Sequence, residues 1–401
     1  MQVTADLNAT ADHNQKTVYT ILFSIAFGHL LNDLMQAVIP ATYPILKQSY
    51  SLSFTQIGLI TFTFQVMASF LQPFVGFYTD KKPKPYSLAF AMLFTFTGLV
   101  SLSFADTFWM ILVAVGLVGV GSSIFHPEAS RVSYLASGGK RGLAQSIFQI
   151  GGNLGTAIGP LLVALLIVPY GQRYIVLFTL AAVIAIFVLR QIAKWYQNHI
   201  DSGSIKKVVR EQFHHLSKWK VNMSVGILMV LIFSKFFYTA SISSYFTFYL
   251  IEKFHLSIQD AQYHLFLFLL SVAFGTMIGG PLGDRFGRKY VIWFSVLGVA
   301  PFTLMLPYAD LFWTGILSVI IGTILSSAFP AILVYAQELL PKRLGMVSGL
   351  FYGFAFGMGG LGSALLGKIA DQTSISYIYH ICSFLPLIGI IACFLPNLRK
   401  K

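Results

Sequence analysis

Apolar runs of about twenty residues recur along the whole chain, and short polar segments separate them. A helix of that length crosses the hydrocarbon layer of a membrane, whereas transmembrane strands would appear as alternating segments of about ten residues. The pattern therefore predicts an all-α membrane protein with twelve transmembrane helices. We place these spans near residues 18–39, 54–77, 86–105, 107–126, 143–168, 173–193, 221–248, 262–282, 290–308, 311–334, 345–367 and 377–396.

The only long polar stretch in the interior of the chain predicts a linker between two halves. We expect an N-terminal six-helix bundle over residues 1–194, a cytoplasmic linker over 195–220 and a C-terminal six-helix bundle over 221–401. A six-helix unit begins and ends on the same side of the membrane. If one such unit occurs twice, the two bundles are parallel and pseudo-symmetric, and the substrate site lies between them.

Composition and charge agree with a membrane protein. The chain is 56% hydrophobic and only 10% charged, a balance that a water-soluble core could not bury. The formal charge is +13, and most of the 27 lysines and arginines lie in segments that face one side. Such an asymmetry marks the cytoplasmic side, so we expect both termini in the cytoplasm and no nucleic-acid partner. The exceptions on the outer side are Lys47, Arg173, Lys253 and Lys368.

A glycine-rich loop lies between the eighth and ninth spans, and a degraded copy lies between the second and third. The residues of the loop are Gly280, Asp284, Arg285, Gly287 and Arg288, and those of the copy are Gly76, Asp80 and Lys81. The glycines permit close approach of helices, and the carboxylate can accept hydrogen bonds from a helix start or a guanidinium. We interpret the two loops as a conformational latch. The alternative is that their cations only set the topology.

The fifth span carries three glycines at four-residue spacing, Gly151, Gly155 and Gly159. This spacing places them on one helix face, where small residues let a neighbouring helix approach closely. Pro160 follows directly and is expected to bend the span.

The first span contains His29, Asn32 and Asp33. Ionisable residues inside a membrane are costly, so each is a functional candidate. His29 and Asp33 are four residues apart and therefore share a helix face. We interpret Asp33 as a candidate for proton coupling or substrate binding, with His29 as its partner. A purely structural hydrogen-bond network is the alternative.

The predicted end of the fourth span holds His126, Glu128 and Arg131, and Glu128 and Arg131 can pair on one face. The corresponding stretch of the second half, residues 330–332, has no ionisable residue, which suggests a task performed once per molecule. Proton exchange at His126 or Glu128 and attraction of an anion by Arg131 are the candidate tasks. The alternative is a cluster that anchors a helix end at the cytoplasmic interface.

Lys235 is the one cation deep in the second half. It could bind an anion in a cavity, pair with Asp33 or Glu128 across the halves, or extend its ammonium to an interface. Further polar residues at plausible substrate-binding positions are Asn32, Gln149, Asn153, Tyr238 and Tyr245.

The twice-occurring loop signature resembles that of the major facilitator superfamily, and the glycines of the fifth span resemble a motif of its drug/proton antiporters. Four longer stretches resemble the fosmidomycin resistance branch of this superfamily, and the similarity covers nearly the whole chain. These stretches are residues 29–33, 125–146, 240–245 and 334–341.

The resemblance implies the major facilitator fold and a drug/proton antiporter that exports fosmidomycin or a similar small anionic phosphonate by alternating access. It also implies a monomer in the bacterial inner membrane that uses the proton gradient and no cofactor. A proton-coupled transporter of small organic or phosphorylated anions is the alternative function. We expect neither an enzyme nor a metal site, because no nucleophile, metal-ligand cluster or nucleotide-binding loop accompanies His126 and Glu128.

Overall fold

The structure of the protein is a computed structural model that describes residues 17–138, 141–202, 217–340 and 344–398. All regular segments in these ranges are helical. Eleven helices are long and apolar enough to cross a membrane, and the apolar helix Ser87–Ser103 is a shorter twelfth. The described residues thus confirm the predicted all-α architecture of twelve spans.

The spans are numbered 1 to 12 in chain order. Spans 1 to 6 are Tyr19–Tyr50, Phe54–Thr79, Ser87–Ser103, Phe108–Ala136, Leu143–Tyr170 and Gln172–Asp201. Spans 7 to 12 are Lys218–Phe254, Ile258–Gly279, Arg288–Tyr308, Leu311–Ala336, Gly349–Gln372 and Ile375–Phe394.

Several spans are broken into shorter helices, mostly near prolines, which remove a backbone donor. Span 1 contains the helices Tyr19–Ala41 and Tyr43–Tyr50. Span 2 is formed by Phe54–Phe70 and Gln72–Lys81, and span 10 by Leu311–Ser326 and Ala328–Leu339; the second helix of each continues beyond the apolar span. Span 9 comprises Arg288–Leu297, Ala300–Met305 and the 3₁₀ turn Leu306–Tyr308. Spans 6 and 12 contain the 3₁₀ segments Gln172–Phe178 and Leu385–Phe394 beside the α-helices Thr179–Asp201 and Ile375–Cys382. The helices of spans 8 and 11 are Ile258–Phe286 and Leu344–Gln372.

Many helices begin at a residue whose side chain accepts a hydrogen bond from a backbone N–H of the first turn. Such N-caps satisfy donors that have no partner inside the helix. Ser53 forms a reciprocal capping box with Gln56 at the start of span 2. The other N-caps of this kind are Thr107, Ser217, Ser257, Asp310 and Ser374.

Span 4 is longer than the sequence predicts. Hydropathy places its end near residue 126, but the helix continues through Pro127 to Ala136. The polar residues that follow do not end the helix, because Glu128 and Ser133 are buried within the protein rather than exposed to lipid or water. Glu128 therefore lies in the interior of a helix and does not mark an exposed helix end.

Span 5 packs against span 1 through its glycine face. A Cβ atom on Gly151 would lie 2.1 Å from the carbonyl oxygen of Ala26, and one on Gly155 would lie 2.1 Å from that of Leu30. Only glycine permits so close an approach of two helices. After Pro160, the α-helix Arg141–Leu162 changes into the π-helical turn Val163–Ile167.

The two halves meet along spans 2 and 11, where a Cβ atom on Gly58 would lie 2.7 Å from the carbonyl oxygen of Ser363. The predicted linker is only partly within the described residues, since 203–216 lie outside them. Span 6 continues to Asp201 and span 7 begins at Lys218. The division of the chain at residues 195–220 stays a prediction.

Candidate functional site

The carboxylate of Asp33 lies between two imidazole rings. One of its oxygens is 3.2 Å from Nε2 of His29, and the other is 3.6 Å from Nε2 of His126. Only 18% of the Asp33 side chain, 4% of His29 and 7% of His126 are exposed. The structure thus brings together residues of spans 1 and 4 that the sequence analysis predicts as separate candidate sites. We call His29, Asp33 and His126 the cation cluster.

Both histidines are held by backbone carbonyl groups on the ring side that faces away from Asp33. Nδ1 of His29 is 2.8 Å from the oxygen of Phe148, and Nδ1 of His126 is 3.0 Å from the oxygen of Ser122. A carbonyl oxygen only accepts hydrogen bonds, so each Nδ1 carries a proton. In the neutral rings the Nε2 atoms therefore carry the lone pairs, and each lies close to a different oxygen of the Asp33 carboxylate.

A shell of amide and hydroxyl groups surrounds Asp33. The amide of Asn32 donates to Oδ1 of Asp33 at 2.9 Å, and that of Gln36 reaches the same oxygen at 3.5 Å. The hydroxyl of Ser122 donates to Oε1 of Gln36 at 3.2 Å. Sequence reasoning missed Gln36 and Ser122, although each lies one helical turn from a cluster residue.

Span 5 closes one side of the cation cluster. The ring of Phe148 stacks on His29 with a centroid separation of 4.0 Å. A Cβ atom on Gly152 would lie 2.5 Å from Nε2 of His29 and 2.7 Å from Oδ2 of Asp33. Position 152 therefore has no room for a side chain.

Lys235 of span 7 is 6% exposed, and its ammonium contacts aromatic faces. Nζ lies 5.4 Å from the ring centroid of Phe329 and 5.8 Å from that of Phe236. Within the described part of the chain, Lys235 forms neither an ion pair nor a hydrogen bond through its ammonium. The predicted alternative of an ion pair with Asp33 or Glu128 is therefore wrong for this structure.

A series of three aromatic rings connects Lys235 to the cation cluster. Phe329 lies 5.1 Å from Tyr352 by ring centroids, and Tyr352 lies 6.3 Å from Phe356. Phe356 in turn lies 5.5 Å from His126. These rings belong to spans 10 and 11 of the second half, so the series crosses the boundary between the halves.

Glu128 and Arg131 form a separate pair. Nη1 of Arg131 donates to Oε1 of Glu128 at 2.8 Å, and Nη2 reaches the carbonyl oxygen of Gly76 at 3.4 Å. Glu128 is 1% exposed. This pair connects span 4 to the predicted latch of span 2, and no described contact connects it to the cation cluster.

The other predicted substrate-binding residues fall into two groups. Gln149 and Asn153 are half-buried and form no side-chain hydrogen bond with a described residue. Tyr238 and Tyr245 are fully buried. The hydroxyl of Tyr245 donates to the oxygen of Ser363 at 2.6 Å, whereas that of Tyr238 has no hydrogen-bond partner among the described residues.

The predicted latch is described in part. Arg288 donates to the carboxylate of Glu338, and the guanidinium of Arg285 lies 5.4 Å from the ring of Phe286. Gly287 has φ +99°, a backbone conformation that side chains rarely adopt, and it ends the helix of span 8. The latch residues that lie outside the described side chains are Asp80, Lys81, Gly280 and Asp284.

Comparison with known proteins identifies the family. The chain matches the sequence profile of the Major Facilitator Superfamily over residues 25–266 and again over residues 228–401. The protein belongs to the Major Facilitator Superfamily. This superfamily consists of transporters, and the protein is accordingly a transporter of small substrates and not an enzyme.

Within the superfamily, the chain is 60% identical over 395 residues to the Fosmidomycin resistance protein of Escherichia coli (strain K12), which covers 98% of this chain and 97% of the relative. It is 46% identical over 389 residues to the uncharacterized MFS-type transporter YfnC of Bacillus subtilis (strain 168), with coverage of 96% and 94%. The predicted resemblance is confirmed.

A solved structure of the same fold is a bacterial homolog of the human lysosomal transporter Spinster. The TM-score is 0.72 at 15% identity, and the match covers 94% of this chain and 96% of the other. FucP, a Major Facilitator Superfamily transporter solved in the outward conformation, matches with a TM-score of 0.64 at 16% identity over 94% of this chain and 98% of the other, so the predicted major facilitator fold is confirmed.

Proposed function

We propose that the protein is a proton-driven exporter of fosmidomycin or a similar small anionic phosphonate. The observation that carries this proposal is the buried ammonium of Lys235, which has ring faces around it and no acceptor among the described residues. A buried cation without a counter-ion is strongly unfavourable. An anionic substrate supplies the missing charge.

Similarity to a named relative supports the choice of anion. A relative that is 60% identical over nearly the whole chain is called a Fosmidomycin resistance protein. Fosmidomycin carries a phosphonate, whose oxygens accept strong hydrogen bonds from an ammonium. Export follows from resistance, because removal of an antibiotic from the cell protects the cell.

The cation cluster is the proposed proton site. Two imidazole nitrogens lie close to the Asp33 carboxylate, and such a group can accept a proton that enters from outside. In the proposed cycle, loading of the cation cluster in the first half and of Lys235 in the second half favour different tilts of the bundles. Glu128 is paired with Arg131 and is therefore assigned to the latch rather than to the proton path.

We place the protein in the bacterial inner membrane as a monomer, with both termini in the cytoplasm and no cofactor. These assignments extend the predicted topology and the superfamily membership.

Inside-out membrane vesicles test the function directly. When the vesicle interior is acidified, wild-type vesicles should accumulate fosmidomycin, and dissipation of the proton gradient should abolish the accumulation. Lys235→Ala should remove it, whereas the matched control Lys368→Ala, an exposed lysine of span 11, should retain it. Equal accumulation by the wild type and Lys235→Ala would reject Lys235 as the anion site, and no accumulation of fosmidomycin by the wild type would reject the substrate.

A further inference from the structure

The cation cluster has the composition and spacing of a transition-metal site. Nε2 of His29, a carboxylate oxygen of Asp33 and Nε2 of His126 all lie within 4.8 Å of one another. Two imidazoles and one carboxylate form a ligand set that Zn²⁺ and other divalent first-row metals use, with a further position left open. Sequence reasoning gave no metal site, because the third ligand comes from a different span.

The orientation of both rings suits a metal ion. Histidines that bind metals almost always donate their other ring N–H to a carbonyl or carboxylate group, which fixes the tautomer. His29 does so to Phe148 and His126 does so to Ser122, at 2.8 Å and 3.0 Å. The two Nε2 atoms are therefore the ones left with lone pairs that can bind an ion.

The distances between ligand atoms are also close to those that an ion requires. A tetrahedral ion with bonds of about 2.0 Å holds its ligands roughly 3.3 Å apart. Nε2 of His29 is 3.2 Å from Oδ2 of Asp33 and Nε2 of His126 is 3.6 Å from Oδ1, and one oxygen together with both nitrogens lies within 4.8 Å.

We propose that the cation cluster binds one divalent transition-metal ion of the Zn²⁺ class, and that the bound ion inhibits transport. The ion takes the place of the proton and joins span 1 to span 4 through bonds to both. Metal binding stands independently of the transport mechanism, whereas the inhibition rests on the proposed function.

Titration of the purified protein with Co²⁺ tests the binding. The affinity tag is removed, and the adjacent pair His214 and His215 is replaced by alanine in every sample so that it cannot bind the ion. We expect one Co²⁺ per chain with the visible absorption of a tetrahedral site. His29→Ala should weaken binding at least tenfold, and the control His264→Ala on span 8 should leave it unchanged. Binding that is equal in both variants, or no binding to the parent protein, would overturn the proposal.

A second variant separates the loss of a ligand from misfolding. His126→Cys keeps a ligand at the site and should add an intense near-ultraviolet band from thiolate to Co²⁺, which an unfolded site cannot produce. The parent protein, with Cys382 and Cys393 in place, should lack this band. Its absence from a variant that still binds Co²⁺ would exclude His126 as a ligand.

Vesicle transport tests the inhibition. Micromolar Zn²⁺ should reduce fosmidomycin accumulation at least tenfold, and a chelator should restore it. If Co²⁺ binds but the protein moves no fosmidomycin, the metal site stands and the proposed function fails. If transport continues while the metal is bound, the inhibitory role is overturned.

Discussion

Asp371, at the end of span 11, binds Thr55, at the start of span 2, through both the backbone and the side chain. Its Oδ2 accepts hydrogen bonds from the N–H of Thr55 at 2.7 Å and from the hydroxyl at 2.6 Å. Its other oxygen accepts from the N–H of Phe54 at 2.8 Å. The carboxylate thus caps a helix of the opposite half, at the end of the molecule that the sequence predicts to face outside.

Asp371→Ala should weaken closure of this end. Loss of an N-cap removes about 0.5–2 kcal/mol, which shifts the ratio of the two tilt states roughly 2- to 30-fold towards separation of spans 2 and 11. Spin-label distances between the outer ends of these spans measure the shift. The control is Asp310→Ala, because Asp310 caps span 10 within one half by accepting from the N–H of Trp313 at 2.8 Å. An unchanged distance distribution in Asp371→Ala would contradict the prediction.

Gly152→Ala should abolish transport and lower stability. The added Cβ would lie 2.4 Å from Cε1 of His29, so the cation cluster must shift, at a cost of about 1–3 kcal/mol. Thermal unfolding in detergent and vesicle transport measure the two effects. Gly359→Ala on span 11 meets nothing within 4 Å and should leave both unchanged. A fully active Gly152→Ala protein would show that the described geometry around His29 is not needed.

Asp33→Asn should stop proton-coupled transport while the protein stays folded. The amide retains the shape of the side chain but removes the carboxylate that is proposed to accept the proton. Glu128→Gln should instead keep coupling at a reduced rate, since it weakens the pair with Arg131 and leaves the cation cluster unchanged. Substrate-induced proton release from the purified protein distinguishes the two variants. If Glu128→Gln eliminates this release and Asp33→Asn does not, the assignment of Asp33 as the proton site is wrong.

Removal of the hydroxyl group should affect stability differently at two tyrosines of span 7. Tyr245→Phe removes a buried hydrogen bond to Ser363 and should lower stability by about 1 kcal/mol. Tyr238→Phe removes a hydroxyl without a described partner and should not lower stability. If the Tyr238 hydroxyl binds substrate, the same variant raises the KM for fosmidomycin. A destabilised Tyr238→Phe protein would show that this hydroxyl has a structural partner.

The twelve spans could be predicted because apolar length is a local property of the sequence. The end of span 4 could not, since hydropathy does not distinguish exposure to water from burial in protein. Glu128 and Ser133 are polar in sequence, yet they are buried in a continuing helix. Glycine spacing likewise predicted the close-packed face of span 5, but it did not identify span 1 as the partner.

The candidate site was predicted residue by residue but not as an arrangement. Asp33 and His126 were found because ionisable residues are rare inside spans, whereas their contact depends on how spans 1 and 4 pack. Helical periodicity defines a face and leaves its neighbour unspecified. For the same reason Asp371 escaped notice, because its partner Thr55 lies in the opposite half of the chain.

The three rings between Lys235 and His126 have an electrical consequence. Phe329, Tyr352 and Phe356 present mostly hydrocarbon, which neither conducts protons nor stabilises water molecules. The three rings therefore separate the proposed proton site at the cation cluster from the proposed anion site at Lys235. A polar side chain in place of Phe356 would allow protons to leak between the two sites, and the proton gradient would dissipate without transport of substrate.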